Sequence, residues 1–164
     1  MFGGFALETI TLPEATLRVR HGGRGSPVLL LHGHPRTHMT WHRVAPLLAE
    51  HHTVVCPDLR GFGRSSKPPD TPNHAGSSKR AKAYDCVALM RHLGYERFAI
   101  IGHDRGSYTA FRTAMDHPEA VKVIEVSDTA LPSAWRARVR ERRFRLPLRC
   151  SNSRSSRRRP SCRR

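Results

Sequence analysis

Phe98-Ala99-Ile100-Ile101-Gly102-His103-Asp104-Arg105-Gly106 is the stretch on which the reading of this 164-residue chain turns. Residues 98–101 form a short apolar run, as a buried strand does, and residues 105–116 read as a helix stopped by His117-Pro118. Between them, two glycines bracket one acid. Strand, sharp turn and helix with G-x-D-x-G at the bend is the setting of a nucleophile elbow, with Asp where Ser is more familiar. The glycines allow the turn that pushes Asp104 into an exposed, strained position. The orphan N–H groups and macrodipole of the following helix favour an ionised carboxylate, which can attack carbon and form an ester. The alternative for Asp104 is a helix cap and nothing more.

Working outward, short apolar runs alternate with amphipathic stretches, the pattern of βα units around a parallel sheet. Residues 7–12 and 15–20 alternate around Pro13-Glu14 as an opening hairpin. Val28-Leu29-Leu30-Leu31 is continuously apolar, as a strand buried on both faces must be. His32-Gly33-His34-Pro35 follows it directly, a sequence that a simple β-turn would also explain. The spacing of Trp41, Val44, Leu47 and Leu48 predicts a helix over 39–50. Residues 53–56 form the next strand, stopped by Pro57 and followed by Asp58-Leu59-Arg60-Gly61-Phe62-Gly63-Arg64-Ser65. Residues 61–78 read as loop, 79–93 as a helix closed by Gly94, and 121–126 as a further strand, with Asp128 just beyond it in Ser-Asp-Thr.

Three motifs in this order, each after a strand, resemble the α/β-hydrolase superfamily over roughly residues 5–132. Within it, LLLHGHPRTHMTWHRVAPLLAE, VVCPDLRGFGRSSKPP and GHDRG followed by Asp116-His117-Pro118 look most like haloacetate (fluoroacetate) dehalogenases. Epoxide hydrolases, the nearest alternative, usually place Trp after the nucleophilic Asp, where this chain has Arg105. The resemblance implies a mostly parallel sheet flanked by helices and a two-step displacement. Asp104 attacks the halogen-bearing carbon, and a histidine oriented by a second acid activates water against the ester. It implies that His34 and Arg105 supply oxyanion-hole N–H groups through their main chains, and that the Arg105 guanidinium holds a substrate carboxylate. Asp128 falls where the family's second acid belongs; its alternative is a strand-end turn residue. Tyr108 stands where these dehalogenases carry a second arginine. D-x-R-G-x-G-x-S is read as structural.

The formal net charge of +16 suggests a nucleic-acid binder until it is located along the chain. Residues 1–135 hold 16 Lys and Arg against 12 Asp and Glu, whereas 136–164 hold 13 Arg against Glu141 alone. The division is therefore 1–135, an α/β-hydrolase core portion, and 136–164, an Arg/Ser-rich tail expected to be disordered and out of frame with a longer gene. The tail's rival reading is a nucleic-acid-binding segment, disfavoured because only Phe144 interleaves the arginines. The family's cap, last strands and catalytic histidine would follow the point where the chain ends, so the expectation is a chain without turnover. His32, His34 and His38 share the H-x-H spacing of binuclear metallohydrolases but lack the Asp-His pair that follows it. No metal and no cofactor is expected, and the only partner implied is a small-molecule substrate. The four cysteines show no metal or disulfide spacing, no run approaches the ~20 apolar residues of a membrane span, and a cytoplasmic setting is the default.

Overall fold

The computed structural model describes residues 2–69 and 71–127. Strands β1 (Ala6–Thr11) and β2 (Thr16–Gly23) form an antiparallel hairpin in which Thr11 faces Thr16 and Leu7 faces Arg20. Then come β3 (Ser26–Leu31), α1 (Ala45–Ala49), β4 (His52–Pro57), α2 (Lys79–His92), β5 (Phe98–His103), α3 (Arg105–Asp116) and β6 (Val121–Ser127). The six strands make one sheet in the order β1-β2-β4-β3-β5-β6. The last four run parallel, and β2 pairs with β4 antiparallel. The expected α/β-hydrolase sheet is present.

The unbroken apolar runs serve two faces. Along β3, Leu29 and Leu31 join a core with Val55, Val87, Met90 and Phe111, while Val28 and Leu30 join Trp41, Ala45, Val54 and Cys56 on the other side. Leu29, Leu30 and Leu31 are completely buried, each worth roughly 1.5–3 kcal/mol against leaving it in water. Chain direction explains which helix covers which face. The crossovers β4-α2-β5 and β5-α3-β6 step the same way across the sheet and put α2 and α3 side by side. The step from β3 back to β4 puts α1 opposite. The carboxyl ends of β3, β4 and β5 therefore meet the amino ends of α2 and α3 at one rim, where open α/β sheets bind ligands.

The helix expected over 39–50 is not continuous. A 3-10 turn, His38–Trp41, is followed by the five-residue α1. Pro46 explains the break, because it has no N–H to return to the preceding turn and its ring clashes there. Trp41 is buried, but Val44 is 42% and Leu47 67% exposed, so the apolar spacing there does not mark one core-facing stripe. A second 3-10 turn, Ala75–Ser77, lies inside the expected loop, and Tyr84 on α2 is 40% exposed. Asp128 and the tail 136–164 lie outside the described residues.

One buried ion pair ties the loop after β4 to α2. Arg60 Nε and Nη2 donate to Asp85 Oδ2 and Oδ1 at 2.6 and 2.5 Å, with both side chains almost wholly buried. Arg60 also donates to Gly76 O at 3.3 Å and Glu14 Oε2 at 3.4 Å. Asp85→Ala leaves this guanidinium buried without its main partner, so stability measured by urea unfolding should fall by about 3–5 kcal/mol. Replacing both partners, Arg60→Met with Asp85→Leu, should recover most of that loss. An unchanged midpoint in Asp85→Ala would show that the pair contributes nothing.

Candidate active site

Asp104 sits where β5 turns into α3, with φ 49° and ψ −120°. This left-handed φ is costly for a residue with a Cβ, by roughly 1–3 kcal/mol. Only His74 shares a positive φ among the described non-glycine residues. The neighbouring glycines are needed for space rather than for φ. A Cβ on Gly106 would collide with the carbonyl oxygen of Leu31, and one on Gly102 would lie 2.6 Å from the Ser107 Cα. Neither has a positive φ, so they allow the turn through the missing Cβ. They let β5 and α3 close onto the end of β3. Ser107 secures the bend, its hydroxyl donating to Gly102 O at 2.8 Å.

The turn after β3 reaches the same point from the other side. Arg36 N–H closes a β-turn on Gly33 O at 3.1 Å, around a cis His34-Pro35 peptide. The His34 N–H donates outside that turn, to Asp104 Oδ2 at 2.8 Å. A Cβ on Gly33 would strike the Asp104 carboxylate. The adjacent Arg105 N–H also favours the ionised form of this carboxylate. These two N–H groups, His34 first, hold Asp104 below the usual carboxylate range; partial burial opposes them and the Arg105 charge adds to them. Asp104 occupies the N-cap position of α3 but makes no side-chain capping bond, so the helix-cap alternative does not describe it. The two main chains named from sequence, His34 and Arg105, thus converge on the acid named from sequence. Arg105 is exposed, and Tyr108 follows it one turn along α3, half-buried. Asp128, the expected second acid, lies outside the described residues, although Ser127 O accepts the Asp104 N–H at 3.2 Å.

Three histidines weighed as metal ligands have other tasks. His32 is buried, and its Nε2 accepts the Leu59 N–H at 3.0 Å. Its Nδ1 therefore carries the proton and donates to Gly33 O at 2.8 Å. Burial pushes its pKa down and keeps it neutral. The ring of His34 packs against Phe62. His38 donates its main-chain N–H to Asp58 Oδ1 at 2.8 Å and places Nδ1 2.7 Å from the same atom. Asp58 Oδ2 takes the Arg64 N–H at 3.1 Å. The loop after β4 is thereby pinned beside the site, with Phe62 edge-on to the rings of both His32 and His34.

The structural role of the D-x-R-G-x-G-x-S loop was read from sequence, but its partners were missed because they are distant in the chain. The one local signal was a polar residue, His32, immediately after four apolar ones. The cations of α2 were also missed. Lys79 is half-buried within the electrostatic reach of Asp104 and Arg105, and Lys82 is buried with Nζ over the Phe62 ring. Among the described residues, Cys56 and Cys86 are free and buried, and no helix is long and apolar enough to cross a membrane.

Residues 26–162 match the family described as alpha/beta hydrolase fold. The chain is 51% identical over 128 residues to a fluoroacetate dehalogenase from Burkholderia sp, covering 78% of this chain and 42% of that protein. It is 43% identical over 106 residues to a soluble epoxide hydrolase from Corynebacterium sp. (strain C12), covering 65% and 35%. The crystallised epoxide hydrolase from an endophytic Streptomyces superposes with a TM-score of 0.74 at 30% identity, covering 79% of this chain and 39% of that one. The chain thus spans less than half the length of the curated relatives it matches. With the parallel sheet, the strained acid after β5 and a family match over most of its length, this chain belongs to the α/β-hydrolase fold family.

Proposed function

We propose that Asp104 is a nucleophile that displaces halide from a 2-haloacid such as a haloacetate. The single observation that carries this reading is the geometry of Asp104: a strained carboxylate held ionised by two main-chain N–H groups. A carboxylate oxygen forms a C–O bond to the substrate carbon as the C–halogen bond breaks, and the halide leaves with the electron pair. Water then attacks Cγ of the resulting ester, its proton passing to a base. The acyl C–O bond breaks, releasing the hydroxyacid and restoring the carboxylate. Negative charge in that second step grows on the carboxyl oxygens of Asp104 itself. The N–H groups of His34 and Arg105 are already placed there, so the oxyanion needs no reorganisation to be stabilised.

The Arg105 guanidinium, on the residue after the nucleophile and exposed at the rim, is suited to the substrate carboxylate. Asp128 would orient the histidine that activates water. The likeness to a protein named fluoroacetate dehalogenase supports the haloacid reading. The likeness to proteins named epoxide hydrolase supports a second one, in which Asp104 opens an epoxide. Arg105 favours the first, since an epoxide offers it no anion.

Incubation with chloroacetate followed by digestion should add the mass of a carboxymethyl group to the peptide containing Asp104, and Asp104→Asn should abolish the addition. Label confined to another carboxylate would overturn the assignment. The pH profile follows from the direction of the Asp104 shift. A lowered pKa keeps the nucleophile ionised at acid pH. Its alkylation rate should stay level from neutrality through about pH 4, the ordinary aspartate range, and fall only below it. An acid limb centred above pH 5 would mean that the N–H groups do not hold the carboxylate as described.

A further inference from the structure

A backbone held at φ 49° and ψ −120° relaxes unless the peptide groups on both sides of it are fixed. At Asp104 both are. On the amino side, the Asp104 N–H donates to Ser127 O, at the end of β6, at 3.2 Å. On the carboxyl side, Asp104 O accepts the Ser107 N–H at 3.0 Å. Rotation about either backbone bond of the Asp104 Cα would break one of these contacts. The amino-side anchor is the more vulnerable. Among the described strands β6 pairs with β5 alone, and Ser127 stands exposed at the last position of that register, opposite His103.

The hydroxyl of Ser107 holds that anchor from the helix side. Ser107 is completely buried, and its Oγ lies 2.8 Å from Gly102 O and 3.2 Å from Ser127 O. One hydroxyl proton is thus shared between two carbonyl acceptors. The Ser127 hydroxyl lies 3.5 Å from Gly102 O, so the same two residues are also joined from the strand side. Ser107 therefore reaches both peptide groups that flank Asp104, one through its own N–H and the other through Ser127 O. An alanine here would keep the helix and its main-chain bond and lose only the hydroxyl donor.

We propose that Ser107 is a positioning residue for Asp104: its buried hydroxyl locks the ends of β5 and β6 together and so holds the strained acid where its carboxylate meets the His34 N–H. This rests on the reading of Asp104 as a nucleophile and names the group that keeps it aimed. The test uses the full chain, with alkylation of Asp104 by chloroacetate followed by mass spectrometry, and two variants. Ser107→Ala removes the hydroxyl at the elbow. Thr113→Val removes another from the same helix, where Thr113 is equally buried and donates to Thr109 O at 2.8 Å. Both should lower the urea midpoint to a similar extent. Only Ser107→Ala should slow alkylation at neutral pH, by about two- to tenfold, the worth of one neutral hydrogen bond. Only Ser107→Ala should move the acid limb up, into the ordinary aspartate range at about pH 4 or higher, because a carboxylate that loses its N–H partners is more easily protonated. The charged groups that act on Asp104, which are His103, Arg105 and Lys79, are the same in both variants, so a moved limb reports its hydrogen bonds. Equal pH profiles in the two variants, or an unmoved limb in Ser107→Ala, overturn the proposal. If Ser107→Ala does not fold, Ser107→Cys, which fills the site with a weak donor, takes its place under the same criteria. If the unaltered protein forms no ester at Asp104, the nucleophile reading fails separately. Titration of the Asp104 carboxyl by NMR then decides the positioning role: a higher pKa in Ser107→Ala upholds it and an unchanged one sinks it.

Discussion

Everything at the rim of this sheet depends on how closely the turn after β5 can approach the turn after β3. Two glycines set that distance, Gly33 against the Asp104 carboxylate and Gly106 against the carbonyl oxygen of Leu31, while Gly102 lets α3 fold back on β5 at Ser107. A side chain at Gly33 or Gly106 would separate the two turns. The His34 N–H would then no longer reach Asp104 Oδ2, and the carboxylate would lose the first cause of its lowered pKa. The strain at Asp104 belongs to the same constraint. Its backbone is held at a positive φ because β5, α3 and the end of β3 leave it no other path, and the pairing of β5 with both β3 and β6 sustains that cost.

Around this contact lies a layer of buried polar groups that take no part in the proposed chemistry. His32 joins the turn after β3 to the loop after β4 through Gly33 O and the Leu59 N–H. Asp58 gathers the N–H groups of His38 and Arg64, and Ser65 returns its hydroxyl to Asp58 O at 2.6 Å. Arg60 carries the connection to α2. Each group satisfies a buried partner, so loosening one leaves another unpaired. The D-x-R-G-x-G-x-S loop is thereby a brace. It fixes Phe62 against His32 and His34, and Phe62 in turn seats Lys82.

The same logic separates what was legible in the chain from what was not. The strands at 28–31, 53–56 and 98–101 were readable because a sheet covered on both faces demands largely apolar runs, whereas 121–126 carries Lys122 and Glu125 between its apolar residues. The helix over 39–50 was misread because apolar spacing at 41, 44, 47 and 48 looks the same whether or not Pro46 interrupts it. It is the proline, a local steric fact, that decides. Asp104 was legible from its place between a strand and a helix, and His34 and Arg105 joined it through the resemblance to the α/β-hydrolase superfamily. The glycines beside Asp104 were legible as what allows the turn, and the packing shows that the missing Cβ, not an unusual φ, is how they allow it.

Local sequence determined the parallel α/β architecture and the acid at its sharpest turn, because periodicity, glycine spacing and strand ends are properties of neighbouring residues; the two main chains that meet the acid were implied by the family resemblance. Tertiary structure alone decided the rest. That His32 is a neutral buried strut, and that the loop already legible as structural is held by Asp58 on His38 and by Arg60 on Asp85, are consequences of residues 20 to 30 positions apart being brought together. Burial and charge act through space, and only tertiary packing sets the distances over which they act.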